Sequence, residues 1–257
     1  MKILGSDYDG TLCPKQISED CIAQIARWRS MGHRFGIVSG RGVDFPKKLA
    51  QLYPMLRVDF FALCNGAYIV DGEGRSISST ACREVDLRAL LSDLFSWGCE
   101  FVLIHSEGGY RCVVSRAEKR PEWVVAEDTC LLEELPFVDS FYQLSVMFAR
   151  GEVASERALD VRERYGRWLN PLQNGAFLDI VPFGVNKATG MSAVMRHYGG
   201  REEDVIVVGD NTNDMDMIRA FRSYAMADGV EALKQTATGV VANVTELLLR
   251  EMMSEEQ

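Results

Sequence analysis

Two aspartates stand two residues apart near the start of the chain, in the run Asp7-Tyr8-Asp9-Gly10-Thr11. A second acidic turn, Gly209-Asp210-Asn211-Thr212-Asn213-Asp214, lies far along the sequence, after the apolar run Val205-Ile206-Val207-Val208. Between them come Ser39-Gly40-Arg41, which also follows an apolar run, and Lys187 at the head of a helical segment. Several carboxylates in one site repel one another unless a cation neutralises them. Hard oxygen ligands of this kind favour Mg²⁺, which keeps some of its waters and bridges to a phosphate. A hydroxyl and exposed backbone amides at Ser39 and Gly40 could cradle a phosphoryl group. Lys187 could give positive charge to phosphoryl oxygens and to a nucleophile. Each residue also has a plainer use. Asp and Asn form turns and cap helices everywhere, and Asp214 and Ser39 are open to that reading. Arg41 reads equally as a phosphate contact or a surface residue, and a lysine is ordinarily solvated.

The elements around these residues favour convergence. Apolar runs at 3–6 and 34–38 flank a helix whose start is marked by Ser18 as cap and by Ile17 and Ile22 as a hydrophobic staple. Gly32 ends that helix. Strand, crossover helix and strand make a βαβ unit with parallel strands. A helix over 44–53, a buried strand at 60–63 and a hairpin at 67–78 with an Asp71-Gly72 turn follow. The middle of the chain changes character. A helix capped by Asp86, strands at 100–105 and 110–115 around Gly108-Gly109, a strand at 141–149, a helix at 155–165 and a strand at 176–181 read as α+β. The parallel pattern resumes with a helix over 187–198, the strand at 205–208 and a helix over 214–221. Apolar segments at 223–227 and 239–242 and a helix over 245–252 complete it. The fold class expected is α/β: a doubly wound parallel sheet from 1–81 and 184–257, with an inserted α+β cap domain at 82–183. In such open sheets ligands bind beyond the carboxyl ends of the strands, where all four polar groups lie.

Composition sets outer limits. At about 150 residues per domain, 257 residues make one large α/β domain or two modest ones. The formal charge of −9 argues against a general nucleic-acid or anionic-membrane binder. No apolar run reaches the roughly 18 residues of a membrane span. The seven cysteines are scattered, with no Cys-x-x-Cys pair, and read as free thiols in a reducing compartment. No signal-peptide pattern precedes the first strand. A cytoplasmic protein is expected, as a monomer or a homodimer.

These residues carry a resemblance. The chain resembles the haloacid dehalogenase (HAD) superfamily of aspartate-nucleophile phosphatases, and within it the Cof-type branch, whose large cap is inserted between the second and third motifs. Asp7-Tyr8-Asp9-Gly10-Thr11 matches the first motif, D-x-D-G-T, and Ser39-Gly40-Arg41 the second. Gly184-Val185-Asn186-Lys187 matches the third and Gly209 to Asp214 the fourth, G-D-x-x-N-D. Cys64-Asn65-Gly66-Ala67 is similar to the N-G-A segment before this branch's cap. Asn211 and Ala188 stand where many relatives have glycine, which touches backbone packing and removes no ligand.

The resemblance implies a Mg²⁺-dependent phosphatase of a small-molecule phosphate ester, a sugar phosphate first. It implies Asp7 as nucleophile and Asp9 as acid and base. Mg²⁺ would be held by the Asp7 side chain, the Asp9 backbone carbonyl and Asp210, with Asp214 in support directly or through water. Ser39, Lys187 and Asn213 would bind the phosphoryl oxygens, with Gly40 and Arg41 beside them. The cap would act as a lid, with His105, Tyr110, Arg111 and Asn174 as candidates for contact with the leaving group. Two other readings share these residues: a phosphomutase of the same superfamily and a phospho-receiver-like binding module.

Overall fold

The computed structural model describes residues 1–116 and 119–254. In chain order it opens with β1 (Ile3–Ser6), α1 (Glu19–Ser30), β2 (Arg34–Val38), α2 (Phe45–Leu52), β3 (Phe60–Leu63), β4 (Tyr68–Asp71) and β5 (Ser76–Ser79). The middle section holds α3 (Leu87–Ser96), β6 (Phe101–Ser106), β7 (Gly109–Val114), β8 (Thr129–Leu131), β9 (Gln143–Met147), α4 (Gly151–Tyr165), β10 (Leu169–Asn174) and β11 (Phe177–Pro182). The chain returns through α5 (Lys187–His197), β12 (Val205–Gly209), α6 (Met215–Ala220), β13 (Arg222–Met226), α7 (Glu231–Thr236), β14 (Gly239–Val241) and α8 (Val244–Met253). It divides into two compact units. One is built from Met1–Arg41, Phe45–Ser78 and residue 186 onward, the other from Gly42–Asp44 and Ser79–Val185.

The first unit is α/β and doubly wound. Its sheet runs β14-β13-β12-β1-β2-β3-β4-β5, parallel from β14 to β3, with β4 antiparallel to β3. Successive side chains of a strand point to opposite faces, and here both faces are buried, as continuous apolar runs require. Leu4, Phe35, Ile37, Ile206 and Val208 pack with Ile25, Trp28, Leu247 and Leu248 of α1 and α8. Ile3, Val38, Val205 and Val207 pack on the other side with Met191, Val194, Met217 and Leu233 of α5, α6 and α7. The Ser18 hydroxyl accepts the Cys21 amide at 3.1 Å and starts α1. The short α7 carries too few periodic residues to stand out in sequence.

The second unit is α+β. Its six strands run β10-β11-β9-β6-β7-β8, antiparallel except for the β7–β8 pair. Helices α3 and α4 cover one face, where Leu90, Leu91, Leu94, Ala158 and Val161 pack on Val102, Ile104, Leu144, Val146 and Ile180. Strand β10 is absent from the sequence reading because Asn170 and Pro171 look like a break. It is an edge strand, where a proline is tolerated. All seven cysteines are free, and five are buried. No helix among the described residues is long and apolar enough to cross a membrane.

Candidate active site

The first acidic turn is set by the pairing of β1 with β12. The Asp7 amide donates to the Val208 carbonyl at 2.9 Å, one residue past the end of β1. Gly10 then turns the chain with φ +80°, and a Cβ there would stand 2.4 Å from an Asp210 carboxylate oxygen. Only glycine meets both demands. Thr11 follows, and its hydroxyl donates to Asp210 Oδ1 at 2.7 Å. The first and fourth motifs are thus stitched together by residues that flank the aspartates.

Lys187 begins α5, whose cap is the Asn186 side chain accepting the Thr189 amide at 2.9 Å. Its side chain is wholly buried, and Nζ donates to Asp7 Oδ1 at 2.7 Å and to Asp214 Oδ1. Asp214 is also wholly buried, and its Oδ2 accepts the amides of Asp210 and Asn211 at 3.0 and 3.1 Å. Carboxylate oxygens of Asp7, Asp210 and Asp214 all lie within 4.8 Å of one another. Three carboxylates facing one ammonium leave two negative charges over when all are ionised, the complement of a divalent cation. Burial pushes the Asp7 carboxyl well above the usual range, against the pull of Lys187. Burial also raises Asp210, partly countered by the Thr11 hydroxyl. Burial works against the charge on Lys187, but Asp214 and Asp7 outweigh it and hold the ammonium above its ordinary value. A hard oxygen cluster with surplus negative charge fits Mg²⁺.

Ser39 is buried at the end of β2, where its amide donates to Ala62 and its hydroxyl accepts the Arg41 amide at 3.1 Å. The Cys64-Asn65-Gly66 turn locks this loop, with Asn65 donating to the Ser39 carbonyl and Cys64 to the Arg41 carbonyl at 3.0 and 2.9 Å. Cys64 and Asn65 hold φ values of 51° and 53°, a left-handed conformation that Asn tolerates and that is uncommon for a residue such as Cys64. At Gly66 a Cβ would meet the Asn186 carbonyl at 2.5 Å. One turn therefore fixes both the Ser39 loop and the start of the helix bearing Lys187. Gly40 is half-buried on that loop, and Asn213 is half-buried in the 3₁₀ turn before α6.

Arg41, expected either as a phosphate contact or as a surface residue, is exposed and pairs with Asp9. Its Nε and Nη2 donate to the two carboxylate oxygens of Asp9 at 2.8 and 2.6 Å. The guanidinium lies 5.7 Å from the Tyr8 ring centroid and 5.8 Å from that of Phe45.

In the second unit the four expected residues separate. His105 and Tyr110 are direct partners across β6 and β7, on one sheet face, with ring centroids 6.2 Å apart. Arg111, one residue on, points to the other face, where its guanidinium donates to the Glu127 carbonyl at 3.3 Å. Asn174 ends β10 opposite Phe177. The face that carries His105 also holds a buried polar chain missed in sequence. Gln143 donates to Ser145 and Ser145 to Asp179, each at 2.8 Å, with His105 Nε2 at 3.4 Å from the same hydroxyl. Gln143 and Ser145 alternating with Leu144 and Val146, and Asp179 amid apolar neighbours, hint at buried polar groups that need partners, but the strand pairing that joins them is not in the sequence.

Residues 4–247 match the family model of haloacid dehalogenase-like hydrolases. The 5-amino-6-(5-phospho-D-ribitylamino)uracil phosphatase YitU of Bacillus subtilis is 35% identical, over 93% of this chain and 92% of its own. YbjI of Escherichia coli, a phosphatase of the same name, is 25% identical over 92% of this chain and 89% of its own. A solved haloacid dehalogenase-like hydrolase from Bacteroides thetaiotaomicron superposes with a TM-score of 0.74 at 21% identity, over 97% of this chain and 98% of that one.

Proposed function

The chain belongs to the haloacid dehalogenase-like hydrolase family and is a phosphatase, and on that premise we propose a Mg²⁺-dependent hydrolysis of a sugar-type phosphate monoester through an aspartyl phosphate. The observation that carries this reading is the set of buried Asp7, Lys187 and Asp214 with half-buried Asp210, and its two surplus negative charges. The substrate class rests on the two relatives named for a 5-phospho-D-ribityl compound, a phosphate ester on a sugar-derived chain.

In this mechanism Asp7 attacks phosphorus and the substrate alcohol departs, taking a proton from Asp9. Asp9, now a carboxylate, accepts a proton from the water that attacks the aspartyl phosphate, and phosphate leaves. Lys187 neutralises Asp7 before attack and the phosphoryl oxygens during it. The Ser39 hydroxyl, the Gly40 amide and the Asn213 side chain bind the same oxygens. The Asp7 carboxylate, the Asp9 carbonyl and Asp210 would hold Mg²⁺, which when bound draws charge from the transferring group and orients it. Asp214 has both oxygens engaged by Lys187 and two amides, which suits a residue that supports the site and leaves the ion to its neighbours.

The test is phosphate release by purified protein over a panel of sugar, polyol and nucleotide phosphates, with Mg²⁺ and with chelator. Turnover concentrated on sugar or polyol esters, absent in chelator and in Asp7→Asn, is expected. Release that persists in Asp7→Asn would contradict the reading.

A further inference from the structure

Acid and base duty for Asp9, on which this inference rests, asks that its carboxyl be aimed. About half of the Asp9 side chain is in water, at 53% exposed, and Arg41 is 51% exposed. An ordinary ion pair at such exposure holds little. This one has three further constraints. The two N–H···O bonds form a fork that matches both oxygens at once. The rings of Tyr8 and Phe45 lie beside the guanidinium and favour its charge. The Arg41 main chain is tied at both ends, its amide to the Ser39 hydroxyl and its carbonyl to the Cys64 amide.

We propose that Arg41 is the positioning residue for Asp9, holding the acid/base carboxyl in register and acting on the reaction only through it. As a carboxylate, Asp9 accepts both N–H groups. When one oxygen carries the proton, the other keeps its bond to Arg41, so the group pivots on a fixed point. The proton passes from that oxygen to the departing alcohol, and one from the attacking water restores it. The guanidinium stays protonated throughout. Because this Arg sits just after Ser39, the loop that cradles the phosphoryl group also sets the acid.

A double-mutant cycle tests this. Arg41→Ala should lower kcat on a sugar phosphate about 10- to 100-fold, the loss expected from a misaligned group, with KM and inhibition by inorganic phosphate unchanged. In an Asp9→Asn background the same change should matter by no more than about threefold. Arg41→Lys, which keeps charge and stem but loses the fork, should fall between parent and Arg41→Ala, and it replaces that variant in the cycle should the alanine protein not fold. Additive losses with raised KM and weaker phosphate inhibition would overturn the proposal and make Arg41 a phosphate contact. Undiminished sugar-phosphate turnover in Asp9→Asn alone would remove the acid/base assignment, and the proposal with it.

Discussion

Lys187 and Asp7 are 180 residues apart in sequence and meet at 2.7 Å, with the ammonium fully shielded from solvent. The same ammonium holds Asp214. Removing one partner of a buried ion pair costs about 3–5 kcal/mol, because the other charge is left uncompensated. Lys187→Met should therefore lower unfolding stability by that order in chelator, with Mg²⁺ returning part of it, and should abolish turnover. Denaturant unfolding with and without the ion measures this. A variant as stable as the parent in chelator would contradict it.

The raised carboxyls of Asp7 and Asp210 have a consequence for pH. Both bind a proton more tightly folded than unfolded, so the stability they contribute is present below the ordinary aspartate value of 3.8 and is lost as pH rises through their higher folded values. Lys187, raised by its two carboxylates, keeps its contribution below its ordinary 10.5 and stays constant across that window. Metal-free protein should lose stability relative to Asp7→Asn as pH climbs from about 4. Excess Mg²⁺, which binds the ionised carboxylates, should cancel the slope. The quantity to measure is parent minus variant, since surface carboxylates titrate in the same window. A difference that is flat or rising with pH would refute the account.

Asp210 accepts the Thr11 hydroxyl and stands against Gly10. Asp210→Asn should weaken activation by Mg²⁺ and recover part of the lost rate at high ion concentration. Ca²⁺, larger and looser in geometry, should support little turnover. Titration of rate against each ion checks both. Full turnover in excess chelator would be incompatible with this site.

Most of the doubly wound unit was legible because its strands are continuous apolar runs that stop at polar residues, as Ile3–Ser6 does before Asp7. The four site segments were legible for the same reason, since a parallel sheet delivers its strand ends to one edge. Besides the short α7, three features were not. The Pro171 strand hides at an edge, where a missing amide costs nothing. The hold of Arg41 on Asp9 depends on where two loops cross, which spacing does not encode. The Gln143–Ser145–Asp179 chain joins two strands across the sheet register, visible only once β9 and β11 are paired.

That register also divides the expected specificity residues. His105 and Tyr110 share a face, whereas Arg111 is turned to the Glu127 carbonyl. If the His105 face of the second unit selects the leaving group, Tyr110→Phe and His105→Gln should reorder substrates by about tenfold or more, the scale of one lost polar contact. Their rates on a small activated aryl phosphate should hold. Arg111→Ala should leave the order as it was. Kinetics over several phosphate esters will show it, and reordering by Arg111→Ala alone would contradict the assignment.

Rapid-mix kinetics of Asp9→Asn on an activated aryl phosphate, read with intact mass, bears most directly on the division of labour between Asp7 and Asp9. The aryl anion leaves without a proton, so Asp7 can still be phosphorylated. The second step then lacks its base, an effect of about 10²–10⁴-fold. The account requires a burst of aryl alcohol, slow turnover afterwards and a phosphoryl group retained on Asp7. Equal slowing of aryl release and sugar-phosphate hydrolysis, with no phosphorylated protein at any time, would contradict it.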